Sequence, residues 1–216
     1  MPIPFDAVIF DLDGLMLDTE SIARICWQNA GRDLGYEVSD ELFLSFVGRT
    51  AADSSRVMQE KWGKDFPLDV FRKQITLHWN NHIAVNSIPL KAGLIELLDF
   101  LDSVSIRKAI ATSTYREGAR SKLGELESRF EAVITGDQVL HGKPAPDIFL
   151  LAAKTLGFAT NRCLILEDSH NGLAAAQAAG IYAIMVPDLL APHAGISHVC
   201  QSLHEVQAWL KNQIDI

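Results

Sequence analysis

Two carboxylates, Asp11 and Asp13, leave the apolar run Ala7-Val8-Ile9-Phe10 and are followed by Gly14. Like charges that close repel, which raises one pKa unless a cation sits between them. A hard divalent ion bound through oxygen resolves the repulsion and favours phosphate as its next ligand. Taken alone, the stretch reads equally as a polar strand exit with a glycine turn. Ile110-Ala111-Thr112-Ser113-Thr114 sets hydroxyls beside free backbone N–H groups, suited to a phosphate oxygen or, as Ser and Thr often are, to capping a helix. His141-Gly142-Lys143-Pro144-Ala145-Pro146-Asp147 presents a lysine between Gly and Pro, ahead of a helix. Its ammonium suits the cancelling of charge on a nucleophilic carboxylate and a phosphate together, although most lysines are surface residues. Leu166-Glu167-Asp168-Ser169-His170 ends an apolar run with two adjacent acids. They suit the oxygen shell of an ion, or a favourably charged helix N-terminus. His170 fits a rim position better than a ligand position, because a hard ion prefers oxygen. Each bland reading holds alone; the order acids, hydroxyl, lysine, acids, each at a strand end, is what favours one site.

Such residues must be brought together by the elements that carry them. The continuous apolar runs Ala7–Phe10, Lys108–Ala111, Ala132–Ile134, Cys163–Leu166 and Tyr182–Val186 read as strands covered on both faces, as in a parallel sheet. Helical patterns lie over Leu94–Leu101, Gly118–Leu126, Pro146–Leu156 and Leu173–Ala179, with Gly157 and Gly180 where helices stop. Repeated strand–helix units imply an α/β, doubly wound parallel-sheet core. In such sheets ligands gather outside the carboxyl ends of the strands. From about Thr19 to Val85 the signals are helical throughout, including Ile22, Ile25, Cys26, Asn29 and Ala30 at helical spacing. We expect residues 1–17 and 88–216 to form the core and 18–87 an all-helical cap, inserted after the first strand.

Composition narrows the partners. A formal net charge of −8 gives no electrostatic footprint for nucleic acid. No apolar run is long enough to span a membrane, and the N-terminal stretch does not read as a signal peptide. Cys26, Cys163 and Cys200 are odd in number and far apart, as reduced cytosolic thiols would be. The expectation is a cytoplasmic protein, a monomer or weak dimer, whose partner is a small molecule.

With these motifs in place the chain resembles the haloacid dehalogenase superfamily of phosphohydrolases. Asp11-Leu12-Asp13-Gly14, Ser113 after Ala111-Thr112, Lys143 in GKPAPDIF, and Glu167-Asp168-Ser169 are similar to its four motifs in order. DLDGLMLDTE, GKPAPDIF and LEDSHNG point to the β-phosphoglucomutase-like branch, near which sugar-phosphate and pseudouridine 5′-phosphate phosphatases belong. The resemblance implies a Rossmann-like core with a helical cap and an Mg²⁺-dependent hydrolase of a small phosphate ester. It implies that Asp11 attacks phosphorus and becomes an aspartyl phosphate, and that Asp13 is the general acid and then the base. Ser113 and Thr114 would bind phosphoryl oxygens, and Lys143 would neutralise charge between nucleophile and phosphoryl group. The ion would be held by the Asp11 carboxylate, the Asp13 carbonyl and Asp168, with Glu167 supporting it directly or through water. The dehalogenases of the superfamily attack carbon without a metal and lack an acid at the Asp13 position, so Asp13 argues for phosphate chemistry.

The resemblance is silent on substrate. Mutases of this branch carry a cap histidine where this chain has Ala23, and a cap arginine where an ungapped reading gives Ala51, two residues from Arg49. A hydrolase is therefore favoured, with a sugar-phosphate mutase as one alternative and a non-catalytic phosphate-binding module as another. Arg24, Arg49, His78, His82, Arg116 and His170 are candidate pocket residues, Arg49, Arg116 and His170 foremost for specificity. Each reads equally as a solvated charge on a helix face.

Overall fold

Five short apolar runs pair as strands: β1 (Ala7–Phe10), β2 (Arg107–Thr112), β3 (Ala132–Thr135), β4 (Cys163–Glu167) and β5 (Tyr182–Met185). The computed structural model describes residues 5–47 and 51–213. All four pairings are parallel, in the order β3-β2-β1-β4-β5. Every residue of β1 and β4 is buried, which explains why neither run alternates with polar residues. The strands match the apolar runs, except that β2, β3 and β4 each continue into a polar residue, Thr112, Thr135 and Glu167, while β2 starts one residue earlier, at Arg107, and β5 stops one residue earlier, at Met185. All three of those polar residues are buried.

Helices cover both faces of the sheet. On one face Ala7, Ile9, Ala109, Ala111 and Ile165 meet Phe149, Ala152 and Ala153 of α7 (Asp147–Leu156). Ala175, Ala176 and Ala179 of α8 (His170–Ala179) join the same cluster. On the other face α5 (Leu94–Ser103) packs on β2 and on α9 (Leu203–Gln213). Ser169 opens α8 by accepting from the Gly172 N–H, three residues ahead of the helix start the sequence suggested. The pattern over Gly118–Leu126 divides into α6 (Arg116–Leu123) and a 3₁₀ stretch, Gly124–Arg129. The sequence reading passed over α9, although Leu203, Val206 and Leu210 supply a buried helical stripe.

Contacts divide the chain into two compact units, Met1–Leu17 with Leu90–Ile216, and Asp18–Pro89. The second is helical: α1 (Thr19–Asp33), α2 (Asp40–Phe46), α3 (Ala51–Trp62) and α4 (Leu68–Val85). The Asp18 carboxylate caps α1 by accepting from the Ser21 N–H, and Ile22, Cys26 and Ala30 form its buried stripe. Its core is largely aromatic. The fully buried Phe71 meets Trp27, Trp62 and Phe66, with ring centroids 5.6, 6.3 and 5.4 Å away. Edge-on ring pairs of this kind add stability beyond the area they bury. Among the described residues no helix is long and apolar enough to cross a membrane, and Cys26, Cys163 and Cys200 are buried free thiols.

Candidate active site

Register explains how distant residues meet. Phe10 pairs with Ile110 on one side and Leu166 on the other, so the residues that follow, Asp11, Ala111 and Glu167, come level at the carboxyl edge of the three central strands. The Asp11 N–H donates to Leu166 O at 3.0 Å, prolonging the ladder by one bond. Chain order changes direction across β1, flanked by β2 and β4, which is where open parallel sheets form ligand crevices.

Lys143 ties these three strands together. Its ammonium donates to Asp11 Oδ1 at 2.5 Å, Glu167 Oε1 at 2.6 Å and Ala111 O at 3.0 Å, using all three of its N–H bonds. It also stands 4.8 Å from the centre of the Phe149 ring. The side chains of Lys143, Asp11 and Glu167 are 5, 9 and 0% exposed. Burial pushes the Asp11 carboxyl up to about 7; Lys143 opposes that shift, while Glu167 and Asp13 add to it. Burial works against the Lys143 charge too, but Asp11 and Glu167 outweigh it and hold the ammonium above the ordinary lysine range.

Glu167 also has protein partners that its motif did not name. One oxygen is taken by Lys143, and the other accepts from both the N–H and the hydroxyl of Ser169, each at 2.8 Å. A Cβ on Gly172 would stand 1.8 Å from Glu167 Oε1, so only glycine leaves room for this carboxylate. Glu167 therefore orients the lysine in this arrangement, with both its oxygens engaged by protein donors.

The Asp13 side chain turns the other way. Oδ2 accepts from the Thr114 hydroxyl at 2.6 Å, and Oδ1 from Lys122 Nζ at 2.6 Å. Lys122 was not among the residues singled out from the sequence. Thr114 in turn donates its N–H to Thr112 Oγ1 at 3.1 Å, which folds the chain after β2 back toward Asp13. Ser113 is exposed at that strand end. Asp168 lies against the turn after Asp13: a Cβ on Gly14, whose φ is +83°, would meet Asp168 Oδ2 at 2.3 Å.

Arg116 and His170 make their contacts outside this cluster. Arg116 is exposed at the start of α6, where its N–H donates to Asp137 Oδ1 at 3.0 Å. His170 donates from Nε2 to Ala191 O at 3.0 Å and meets the His193 ring edge-on. Within the helical unit, Arg24 pairs with Asp40 at 3.6 Å and His78 with Asp33 at 2.7 Å. Arg49 lies outside the described residues.

Among the described residues no three acidic, histidine or cysteine side chains stand together as a ready-made metal cage. The set implied by the motifs is two side chains, Asp11 and Asp168, beside one main-chain carbonyl, that of Asp13, with Glu167 in support directly or through water. Those donors are all oxygen, as a hard divalent ion requires, and Gly14 lets Asp168 close against the turn that carries Asp11 and Asp13.

Residues 8–186 match the family of haloacid dehalogenase-like hydrolases. The chain is 30% identical over 178 residues to the phosphorylated carbohydrates phosphatase of Thermotoga maritima, covering 82% of each chain. It is 30% identical over 186 residues to the fructose-1-phosphate phosphatase of Escherichia coli K12, covering 84% of this chain and 96% of that one. The crystal structure of CbbY from Rhodobacter sphaeroides in complex with phosphate superposes with a TM-score of 0.76 at 26% identity, covering 94% of this chain and 96% of that one. The chain therefore belongs to the haloacid dehalogenase-like hydrolases. Both of these relatives are phosphatases by name, and the fold, a five-stranded parallel sheet with helices on both faces, is shared with CbbY.

Proposed function

We propose that this protein is an Mg²⁺-dependent phosphomonoester hydrolase of a small phosphorylated metabolite, a sugar or nucleoside phosphate, and that it works through an aspartyl phosphate on Asp11. The observation that carries the reading is the Lys143 ammonium, 2.5 Å from Asp11 and held by a second buried carboxylate, Glu167. A carboxylate that attacks a phosphate must approach another anion. A cation fixed beside it in a water-poor site lowers that barrier without reorganising during the reaction. Covalent capture by a carboxylate also divides one displacement into two easier ones.

In this reading the free oxygen of Asp11 attacks phosphorus while Lys143 holds the other. The exposed Ser113 contacts a phosphoryl oxygen, and Thr114 joins it when its hydroxyl exchanges Asp13 for the phosphoryl group. Asp13 gives a proton to the leaving oxygen and later takes one from the attacking water; Thr114, after the neighbouring strand β2, and Lys122 of α6 hold its side chain in place. When bound by Asp11, Asp168 and the Asp13 carbonyl, Mg²⁺ would offset negative charge on the phosphoryl group. Unit Asp18–Pro89 acts as the cap, which excludes water and chooses the leaving group. Arg49, Arg116 and His170 are candidates for contacting that leaving group. The setting is proposed to be the cytoplasm.

The test is a panel of phosphorylated sugars and nucleosides assayed for phosphate release with Mg²⁺ and with chelator, on wild type and Asp11→Asn. Wild type is expected to release phosphate only with the ion and to yield an acid-stable phosphorylated form on rapid quenching. Asp11→Asn is expected to be folded and inert. Turnover in Asp11→Asn at the wild-type rate would refute the nucleophile, and isomerisation of β-glucose 1-phosphate in place of hydrolysis would assign a mutase.

A further inference from the structure

Asp188 follows β5 and belongs to none of the motifs. Its Oδ1 accepts from Lys91 Nζ at 2.7 Å. Its Oδ2 is out of contact with solvent and meets no hydrogen-bond donor among the described residues. The side chain as a whole is 11% exposed. A carboxylate oxygen without a donor and without water is costly in any folded protein, and such atoms usually face a ligand or ordered water.

Its neighbourhood says which. The point where a Gly14 Cβ would stand is 2.3 Å from Asp168 Oδ2 and 3.4 Å from Asp188 Oδ2. The two oxygens thus face one space beside the turn that carries Asp11 and Asp13, with Asp188 standing further back. Two carboxylates in that relation repel unless a cation, or a donor polarised by one, lies between them. Lys91 answers only the far oxygen of Asp188. It is itself fixed by the main chain, its N–H donating to Met16 O at 2.9 Å, in the segment that follows Gly14. The main chain of Lys91 is thereby anchored beside the Gly14 turn, and the open oxygen of Asp188 faces the same space as Asp168 Oδ2. Mg²⁺ keeps several of its waters when bound to protein, and those waters are strong donors.

We propose that Asp188 is an outer-sphere positioning residue of this ion site: Oδ2 accepts a hydrogen bond from a water in the hydration shell of the divalent ion, and Lys91 sets the angle of the carboxylate. The inference rests on the metal-dependent reading above and adds a residue to it. It also explains why the buried oxygen is left without a protein donor.

The test is calorimetric titration of the full chain with Mg²⁺ alone, without substrate, on wild type and Asp188→Asn. The variant keeps the shape and removes the charge. Loss of such an outer partner lowers metal affinity by about 10–100-fold, and that is the expected weakening. In chelator the melting temperature of Asp188→Asn is expected to equal or exceed that of wild type, because a carboxylate that faces Asp168 with no cation between them is gone. In turnover, the Mg²⁺ concentration for half-maximal rate should rise while the rate at saturating Mg²⁺ is largely recovered. Unchanged Mg²⁺ affinity together with a lower melting temperature in chelator would make Asp188 a structural partner of Lys91 and overturn the proposal. If Asp188→Asn does not fold, Asp188→Ala in the same titration decides between the same two outcomes. Wild type that binds no Mg²⁺ would refute the metal-dependent reading itself, and this inference with it. Wild type and variant binding alike would refute this inference only.

Discussion

Two lysines lie almost out of water at opposite ends of the same sheet, and they differ in what answers their charge. Lys143, at the carboxyl edge, faces Asp11 and Glu167, both buried, and among the described residues no other cation touches that pair of acids. Lys108, near the start of β2, pairs with Asp102, whose side chain is half exposed. Arg129 shares that acid through its second oxygen at 2.6 Å and reaches Asp99 at 2.8 Å. The consequences run in opposite directions. Lys143 is held above the ordinary lysine range by its carboxylates, whereas burial, followed by Arg129, pulls Lys108 below it. Burial of a charged side chain therefore does not by itself mark a site. What distinguishes this part of the carboxyl edge is that Asp11 and Glu167 both depend on one lysine, so that the three groups form a single charged unit.

The largest effect expected from this contrast is that of Lys143→Met. The substitution strands two buried carboxylates, and breaking a buried pair by removing one partner costs about 3–5 kcal/mol. Turnover should fall at least as far as on losing one preorganised donor to a transition state, about 10²–10³-fold, and for every phosphate ester alike. Denaturant titration in chelator and a substrate panel measure the two losses. The sign of the pH dependence follows as well. A lysine with a raised folded pKa contributes stability that is complete below the unfolded value of 10.5 and is lost as pH rises above it. That alkaline loss should be absent in Lys143→Met. Near-wild-type stability and rate would erase the distinction between the two lysines.

A smaller effect is expected at Lys122, which asks whether the carboxyl edge extends beyond the Lys143 unit. Lys122→Met leaves Asp13 with Thr114 and partial access to solvent, its side chain being 24% exposed. Stability should change by less than about 1 kcal/mol, as for other partly exposed pairs. If Lys122 positions Asp13, the rate constant kcat should fall about tenfold, part of the 10²–10⁴ that a general acid–base supplies. KM should move little, and Lys122→Arg should recover part of the loss. An unchanged kcat would restrict the functional edge to Asp11, Lys143 and Glu167.

These contrasts also mark where the sequence was legible. Asp11, Lys143, Glu167 and Asp168 stood out because each interrupts an apolar run or a stiff Gly-Pro loop, and such interruptions are difficult to explain as packing. The strands were legible for the same reason, as unbroken apolar runs. Lys122 was not, because it lies among Arg116 and Arg120 on a polar helix and only the adjacency of β2 and β1 brings it to Asp13. The partners of Glu167 were equally hidden: its engagement with Lys143 and Ser169 follows from the register of β1 with β4 and from the space at Gly172. Asp188 follows a strand through a Pro-Asp turn, a pattern ordinary enough to carry no signal until the loop is folded. The stripe of α9 was present in the residues, but short stripes near a chain end resemble many surface segments.

The smallest effect is expected at Lys108, and it tests the contrast from the other side. Lys108→Met removes a buried ammonium whose acid keeps a second partner, since Arg129 still donates to Asp102 Oδ2. No charge is stranded, and the methionine fills the space of the lysine stem against β2. The lost pair was exposed on its acid side, and such pairs are worth about 0–1 kcal/mol. The desolvation that lowers the lysine pKa is also relieved, so the net change at neutral pH should stay within about 1 kcal/mol and turnover should be untouched. The pH dependence gives the sharper sign. With its folded pKa below 10.5, Lys108 binds its proton more weakly in the folded chain than in the unfolded one. Its contribution therefore improves stability as pH rises through the interval below 10.5, opposite to Lys143. Denaturant midpoints compared between neutral pH and pH 10.5 should rise less in Lys108→Met than in wild type. A loss at Lys108 as large as that at Lys143 would mean that Arg129 does not compensate Asp102, and that the two ends of the sheet store charge in the same way.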